Sequence, residues 1–148
     1  MLTHPIMRDS AWRNSVLLVA RLALSSLFLV MGWGKLTDYS GAIAYMTQTG
    51  APFPALAALV ATGVELGFGL AIALGVLVEP LAMALALYTV VTGFIGHHFW
   101  TMSGMLRYDM MIHFYKNISV AGGLLALAAA GPGRYQLAIP RTTKQGIS

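Results

Sequence analysis

The stretch SVLLVARLALSSLFLVMGWG, from Ser15 to Gly34, decides the fold of this chain. A run of roughly 20 apolar residues is long enough to cross a bilayer as a helix. Only Arg21, Ser25 and Ser26 interrupt it, and a helix can satisfy small serine side chains internally. Because the run is longer than a signal-peptide core and lacks a small-residue cleavage site, we expect an uncleaved membrane anchor.

Three further apolar runs follow, at about residues 55–78, 81–100 and 110–130. Of the 148 residues, 57% are hydrophobic and only 9% are charged, which is too little charge to cover a water-soluble protein of this size. The sequence therefore predicts an all-α fold: a single polytopic membrane domain over residues 1–148, built as a four-helix bundle.

The residues between the runs indicate how the spans are joined. Ala42 to Met46 is expected to form a short interfacial helix, and Pro54 suits the start of the second span. Glu79-Pro80 predicts a tight turn before the third span, and Thr101 to Asp109 predicts a loop before the fourth. These connections make spans two and three a helical hairpin.

The second predicted span carries small residues at four-residue spacing: Gly63, Gly67, Ala71 and Gly75. A stripe of this kind lets another helix approach closely. We expect it to serve helix packing within the bundle, and it also leaves room for a homo-oligomer.

Lysine and arginine are distributed unevenly along the chain. The tails carry Arg8, Arg13, Arg134, Arg141 and Lys144, and the opposite predicted face carries Lys35 and Arg107. Because basic residues favour the cytoplasmic side, we expect both termini in the cytoplasm.

These basic residues are scattered, so the net charge of +4 does not indicate nucleic-acid binding. The chain has no cysteine, which excludes its own thiol and disulfide chemistry.

Glu65 is the residue of the predicted spans whose burial in the membrane costs the most free energy. It lies about 15 Å into the second span, near the bilayer centre. An ionised carboxylate there needs a cation inside the bundle. Lys116 is the expected partner and Lys35 the second candidate, whereas Arg21 can snorkel to the lipid headgroups. A structural ion pair and a role in ligand or proton handling both remain open for Glu65.

Polar residues also share one face of the fourth predicted span. His113, Lys116 and Asn117 stand at i, i+3 and i+4, which predicts an inter-helix hydrogen-bond network or a site for a headgroup, quinone carbonyls or a carboxylate. His97 and His98 diverge by about 100° on their helix, so we predict no metal site. His97 and His113 could serve as axial ligands, but a single pair of histidines without a diagnostic spacing does not favour haem.

Six short motifs follow one another along the chain: GWGKL (32–36), PFP (52–54), VELGFG (64–69), HHFW (97–100), HFYKN (113–117) and GPGR (131–134). In this order they resemble the DoxX family of small bacterial membrane proteins, over about residues 16–134. The resemblance implies a four-helix bundle in the bacterial inner membrane. It also implies a link to membrane redox systems, since relatives include a small subunit like that of thiosulfate:quinone oxidoreductase.

The motif positions that the resemblance singles out include the polar residues of the spans, and with them we assign a candidate ligand site. Its residues are Trp33, Lys35, Glu65, His97, Trp100, His113, Lys116 and Asn117. Our first hypothesis is a redox-associated subunit that binds a quinone in the outer half of the membrane and receives electrons from a partner protein, because no flavin, haem or iron–sulfur motif is visible. The alternatives are a non-catalytic anchor or scaffold for a partner and, with less support, a small-molecule or proton carrier.

Overall fold

The computed structural model describes residues 11–137, and these form five α-helices. The helices are α1 (Ala11–Thr37), α2 (Tyr39–Gln48), α3 (Pro54–Leu74), α4 (Val78–Gly96) and α5 (Gly104–Ala130). A short 3-10 turn, Phe99–Thr101, lies between α4 and α5. The all-α prediction is confirmed. The tail residues Arg8, Arg141 and Lys144 lie outside the described range.

Local sequence signals explain where the helices begin and end. Asp38 caps α2 by accepting a hydrogen bond from the Gly41 amide, and Pro54 opens α3, where its missing N–H is not needed. Gly75 ends α3 with a left-handed φ of 83°, and Gly131 ends α5 with a φ of 77°. The short helix expected around Ala42 to Met46 is confirmed as α2.

Two predicted connections are wrong. Glu79 and Pro80 do not form the turn, because α4 already begins at Val78 and the chain turns at residues 75–77. Proline is tolerated in a first helical turn, so Pro80 does not stop the helix. The loop predicted over Thr101 to Asp109 is also shorter, since α5 begins at Gly104 and takes in the charged residues that suggested a loop.

Helix packing is extensive in two pairs, α1 against α3 and α4 against α5, while α2 packs on α3. The apolar core lies between these pairs and includes the fully buried side chains of Ile72, Leu85 and Leu124. Close approach of α1 and α3 depends on Gly32, where a Cβ would come within 2.8 Å of the Leu66 side chain. Glycine therefore fixes the distance between the two helices that carry the first polar cluster.

The small-residue stripe of α3 is not used for packing along most of its length. A Cβ at Gly63 or Gly67 would meet nothing within 4 Å among the described residues, and both positions are exposed. Only Gly75 of the stripe is closely packed, against Gln136 and Arg21. The part of the stripe that contains Gly63 and Gly67 is thus on the outer surface of the described chain.

Three helical segments are long and apolar enough to cross a membrane in the described part of the chain: Ala11–Thr37, Pro54–Leu74 and Val78–Thr101. Helix α5 matches α1 in length, with 27 residues, but its first half contains Arg107, Asp109 and Lys116. Helix α5 is not among the three candidate spans, and the four-span topology stays a prediction.

Arg21 does not snorkel to the headgroups, contrary to the sequence-based expectation. Its side chain is 1% exposed, and its guanidinium donates to the carbonyl oxygens of Pro132 (2.6 Å) and Ala73 (3.2 Å). Ala73 lies in the last turn of α3, where the helix dipole places partial negative charge, and Pro132 lies just beyond the end of α5. The two carbonyls solvate the cation from different sides, while its Nε is buried with no hydrogen-bond partner among the described residues.

Candidate functional site

Glu65 forms an ion pair with Lys35, not with Lys116 as the sequence had suggested. The Lys35 Nζ lies 2.7 Å from Glu65 Oε2, and the two side chains are 15% and 8% exposed. Tyr88 on α4 donates its hydroxyl to the other carboxylate oxygen, Oε1, at 2.7 Å. The ion-pair cluster, Lys35, Glu65 and Tyr88, therefore joins α1, α3 and α4 through a carboxylate with a donor on each oxygen.

Helix spacing explains why Lys35 reaches Glu65. Gly32 brings α1 so close to α3 that a Cβ there would lie 3.0 Å from the Glu65 Cβ. Lys35 stands one turn further along α1, on the same face, and its long side chain extends to the carboxylate. Its ammonium also lies 3.4 Å from the Met31 carbonyl oxygen. The carboxylate is thus held at the α1–α3 contact.

A second polar group, the histidine cluster, consists of His97, His113 and Lys116. The two imidazole rings stack with centroids 5.2 Å apart and an interplanar angle of 23°. The Lys116 Nζ lies 3.2 Å from His113 Nδ1, and since an ammonium can only donate, the proton of a neutral His113 is on Nε2. His97 Nδ1 is buried and has no hydrogen-bond partner among the described residues.

An aromatic cluster forms from residues of α4, the 3-10 turn and α5 that neighbour the histidines in sequence. Phe114 packs edge-on against Phe94 (5.0 Å between centroids), Phe99 (5.6 Å) and Trp100 (5.9 Å). The predicted site residue Trp100 belongs to this aromatic cluster, and its ring centroid lies 6.4 Å from that of His98. Trp33 does not belong to it, because it is 61% exposed on the outer surface of α1, next to Leu66.

Asn117 packs at the α4–α5 contact rather than in an open cavity. A Cβ at Gly93 would lie 3.3 Å from the Asn117 Nδ2, so this glycine makes room for the amide. His98 turns away from the cluster, with its Nδ1 2.9 Å from the Ile95 carbonyl oxygen. His97 and His98 were expected in the last turn of a helix, but α4 ends at Gly96, so their different contacts do not follow from helix geometry.

The predicted site divides into two clusters, one at Tyr88 within α4 and one at His97 just past the end of α4. Tyr88 and His97 are nine residues apart, which corresponds to about 13 Å along a helix. Within residues 11–137, no hydrogen bond or ion pair joins the ion-pair cluster to the histidine cluster. Lys35 and Glu65 are therefore brought together, and so are His97, His113 and Lys116, but not all five.

Sequence reasoning missed two tyrosines. Tyr88 is a phenol in an apolar span, and such a group, when buried, usually has a hydrogen-bond partner, which is the signal that could have found it. Tyr45 on α2 covers the end of α4, since a Cβ at Gly96 would lie 3.2 Å from its hydroxyl oxygen. Burial raises the pKa of Tyr45 above its ordinary value, so this hydroxyl stays a donor at neutral pH.

In the described part of the chain, no three His, Cys, Asp or Glu side chains are grouped so that they could hold a metal ion. The donors of the histidine cluster are two imidazoles and an ammonium, and an ammonium is not a metal ligand. This set suits an acceptor such as a carbonyl or carboxylate oxygen.

Comparison with known proteins places the chain among small inner-membrane proteins. The DoxX family model matches residues 16–98. Inner membrane protein YphA of Escherichia coli strain K12 is 42% identical over 127 residues, covering 86% of this chain and 91% of that protein. Inner membrane protein YqjF of the same organism is 38% identical over 120 residues, covering 81% and 87%. No solved structure matches the chain. It is an inner-membrane protein with several candidate transmembrane helices, and it belongs to the DoxX family.

Proposed function

We propose that this protein is a four-span accessory subunit of a membrane redox system and that its histidine cluster binds the head of a quinone. The observation that carries the proposal is the pairing of Lys116 with His113 beside the buried, unpartnered Nδ1 of His97. The rings of Phe99, Trp100 and Phe114 neighbour these polar groups in sequence, so a flat head group with carbonyl oxygens suits this end of the bundle.

The four-span part of the proposal depends on α5. This helix packs along α4, and its second half, from about Ile118 to Ala130, is apolar. Its charged first turns then lie at the outer interface with Arg107 and Asp109. With α5 crossing, the basic tails fall on one side, which agrees with both termini in the cytoplasm.

Each polar group has a separate task in this scheme. Lys116 and the histidines hydrogen-bond the quinone carbonyls, and the electrons come from a redox partner protein. Reduction of a quinone to a quinol takes up two electrons from the partner and two protons, which the Lys116 ammonium can donate to the carbonyl oxygens one after the other, recovering each proton from water. Glu65 is already neutralised by Lys35, so it is a structural group in this scheme rather than the counter-charge of Lys116.

Binding can be tested directly with the purified protein in detergent. A short-chain ubiquinone analogue should bind the wild type saturably, and Lys116→Met should weaken that binding by about tenfold or more, the effect of losing one charged hydrogen bond. Lys116→Arg, which keeps the cation, should bind more tightly than Lys116→Met. Arg107→Gln is the matched control, because Arg107 lies over Phe99 and not beside the imidazoles.

If the wild type does not bind the ubiquinone analogue saturably, the quinone proposal is wrong. The alternative is then a scaffold role, which the ion-pair cluster favours. Both oxygens of Glu65 are satisfied by residues of this chain, as expected of a carboxylate that fixes the positions of α1, α3 and α4. A scaffold would then bring a partner to the membrane without a ligand of its own. Copurification of the native complex from membranes identifies that partner.

A further inference from the structure

An apolar groove of about 520 Å³ runs between α1 and α5, away from both polar clusters. Its walls include Leu17, Ala20 and Leu24 of α1 and Gly123, Leu127 and Ala130 of α5. These helices contact each other much less than α1 contacts α3 or α4 contacts α5. The small side chains keep the space between them open along the bundle surface.

A guanidinium group stands at one end of this groove. Arg13 lies one turn before Leu17 on the same face of α1, and its Nη2 donates to the carbonyl oxygen of Ala130 at 3.0 Å. Both Leu17 and Ala130 line the groove. The groove is therefore apolar along its length and cationic at its mouth.

A second arginine lies at the same end. The Arg134 amide donates to the Asn14 side chain at 3.0 Å, which places Arg134 next to the start of α1, and its own side chain is exposed. The carboxylate nearby is Glu79, whose Oε1 would lie 3.4 Å from a Cβ at Gly131. Two guanidinium-bearing residues, Arg13 and Arg134, therefore lie at this end of α1.

We propose that the groove binds one acyl chain of an anionic phospholipid, with the phosphate held by Arg13 and Arg134. In a bilayer, an apolar groove is filled by a hydrocarbon chain, because water finds no polar partner there. Basic pockets between transmembrane helices bind anionic headgroups, and guanidinium matches phosphate in geometry as well as charge. The proposal does not depend on quinone binding, since it uses the opposite end of the bundle.

Trp12 provides an intrinsic reporter for this site, since it neighbours Arg13 and is 75% exposed. The chain has three tryptophans, so Trp33→Phe and Trp100→Phe together leave Trp12 as the only one. This protein is reconstituted into phosphatidylcholine vesicles that contain brominated phosphatidylglycerol or, in parallel, brominated phosphatidylcholine. We expect phosphatidylglycerol to quench Trp12 more strongly at the same lipid fraction.

Variants separate the headgroup from the chain. Arg134→Gln and Arg13→Gln should each lower the preference for phosphatidylglycerol by about fivefold, with Arg107→Gln at the other end as the control. Ala20→Phe should fill the groove and remove the preference without changing the charge, while Leu87→Phe, at an exposed position of α4, should not. Because Arg134 has an exposed side chain, its variant is expected to fold even if Arg13→Gln does not.

Equal quenching by the two lipids would overturn the proposal, and so would a preference that survives Arg13→Gln with Arg134→Gln. A second copy of this chain is the competing occupant. If Ala20→Phe converts a dimer to a monomer in detergent and leaves the lipid preference unchanged, the groove is a dimer contact instead.

Discussion

At the residue scale, Arg21 and Lys35 show two ways to hold a cation within a helical bundle. Lys35 is paired with a carboxylate 2.7 Å away, whereas Arg21 donates hydrogen bonds to two peptide carbonyls, one at the end of α3 and one just after α5. A lysine ammonium is a compact charge that suits one carboxylate, while the planar guanidinium can reach separate acceptors in different directions. The two side chains therefore join different parts of the bundle.

The ion pair makes a testable contribution to stability. Lys35→Met or Glu65→Gln alone should lower the free energy of unfolding by about 3 kcal/mol, because each leaves a buried partner unpaired. The double variant should recover much of this loss, since no lone charge remains. Thermal unfolding in detergent measures the three values. Additive losses in the double variant would show that the two side chains act independently.

The sequence alone predicted how far along its span each of these residues lies, but not which neighbouring helix its side chain faces. The position of Glu65 near the middle of α3 follows from counting residues, and both lysines were candidates for its partner. The choice depends on which faces of α1, α3 and α5 meet, and that depends on packing at Gly32. Lys116 faces His113 on its own helix, a local i, i+3 contact that the sequence already contained.

At the element scale, the helices were found but their ends were misplaced. Pro80 indicated a break, yet it lies in the first turn of α4 and the true break is at Gly75. Proline and glycine both interrupt helices in sequence, and only the backbone shows which of the two does so at a given position. The same holds for α5, where the charged first turns are helical.

Gly75 offers a test of this turn. Gly75→Val should destabilise the protein by about 2 kcal/mol or more, because φ is 83° and the new Cβ would lie 2.6 Å from the Gln136 Cβ. Gly63→Ala is the matched control on the same helix: it meets nothing within 4 Å and should be neutral or stabilising. Urea or thermal unfolding compares the two. If the two variants change the free energy of unfolding equally, Gly75 is not required for the backbone conformation of this turn.

At the scale of the whole molecule, the open question is the number of crossings. Tyr135 follows α5, so with the N-terminus in the cytoplasm, as we predict, it lies in the cytoplasm if α5 spans and outside if only α1, α3 and α4 span. Because the chain has no cysteine, single-cysteine variants report their position without background. We expect Ser103→Cys to react with a membrane-impermeant maleimide in intact cells, and Leu77→Cys and Tyr135→Cys to react only after permeabilisation. Reaction of Tyr135→Cys in intact cells would reduce the topology to three spans.

The contact between Arg21 and Pro132 also has a consequence for biosynthesis. Arg21 leaves the ribosome early, within the first helix, but one of its acceptors lies 111 residues later. Until α5 has docked, the first helix holds an incompletely solvated cation, which favours partial exit from the membrane or capture by an insertion chaperone. A chain truncated before Pro132 retains this defect permanently. We therefore expect stable insertion of the first helix to require the segment that contains Pro132.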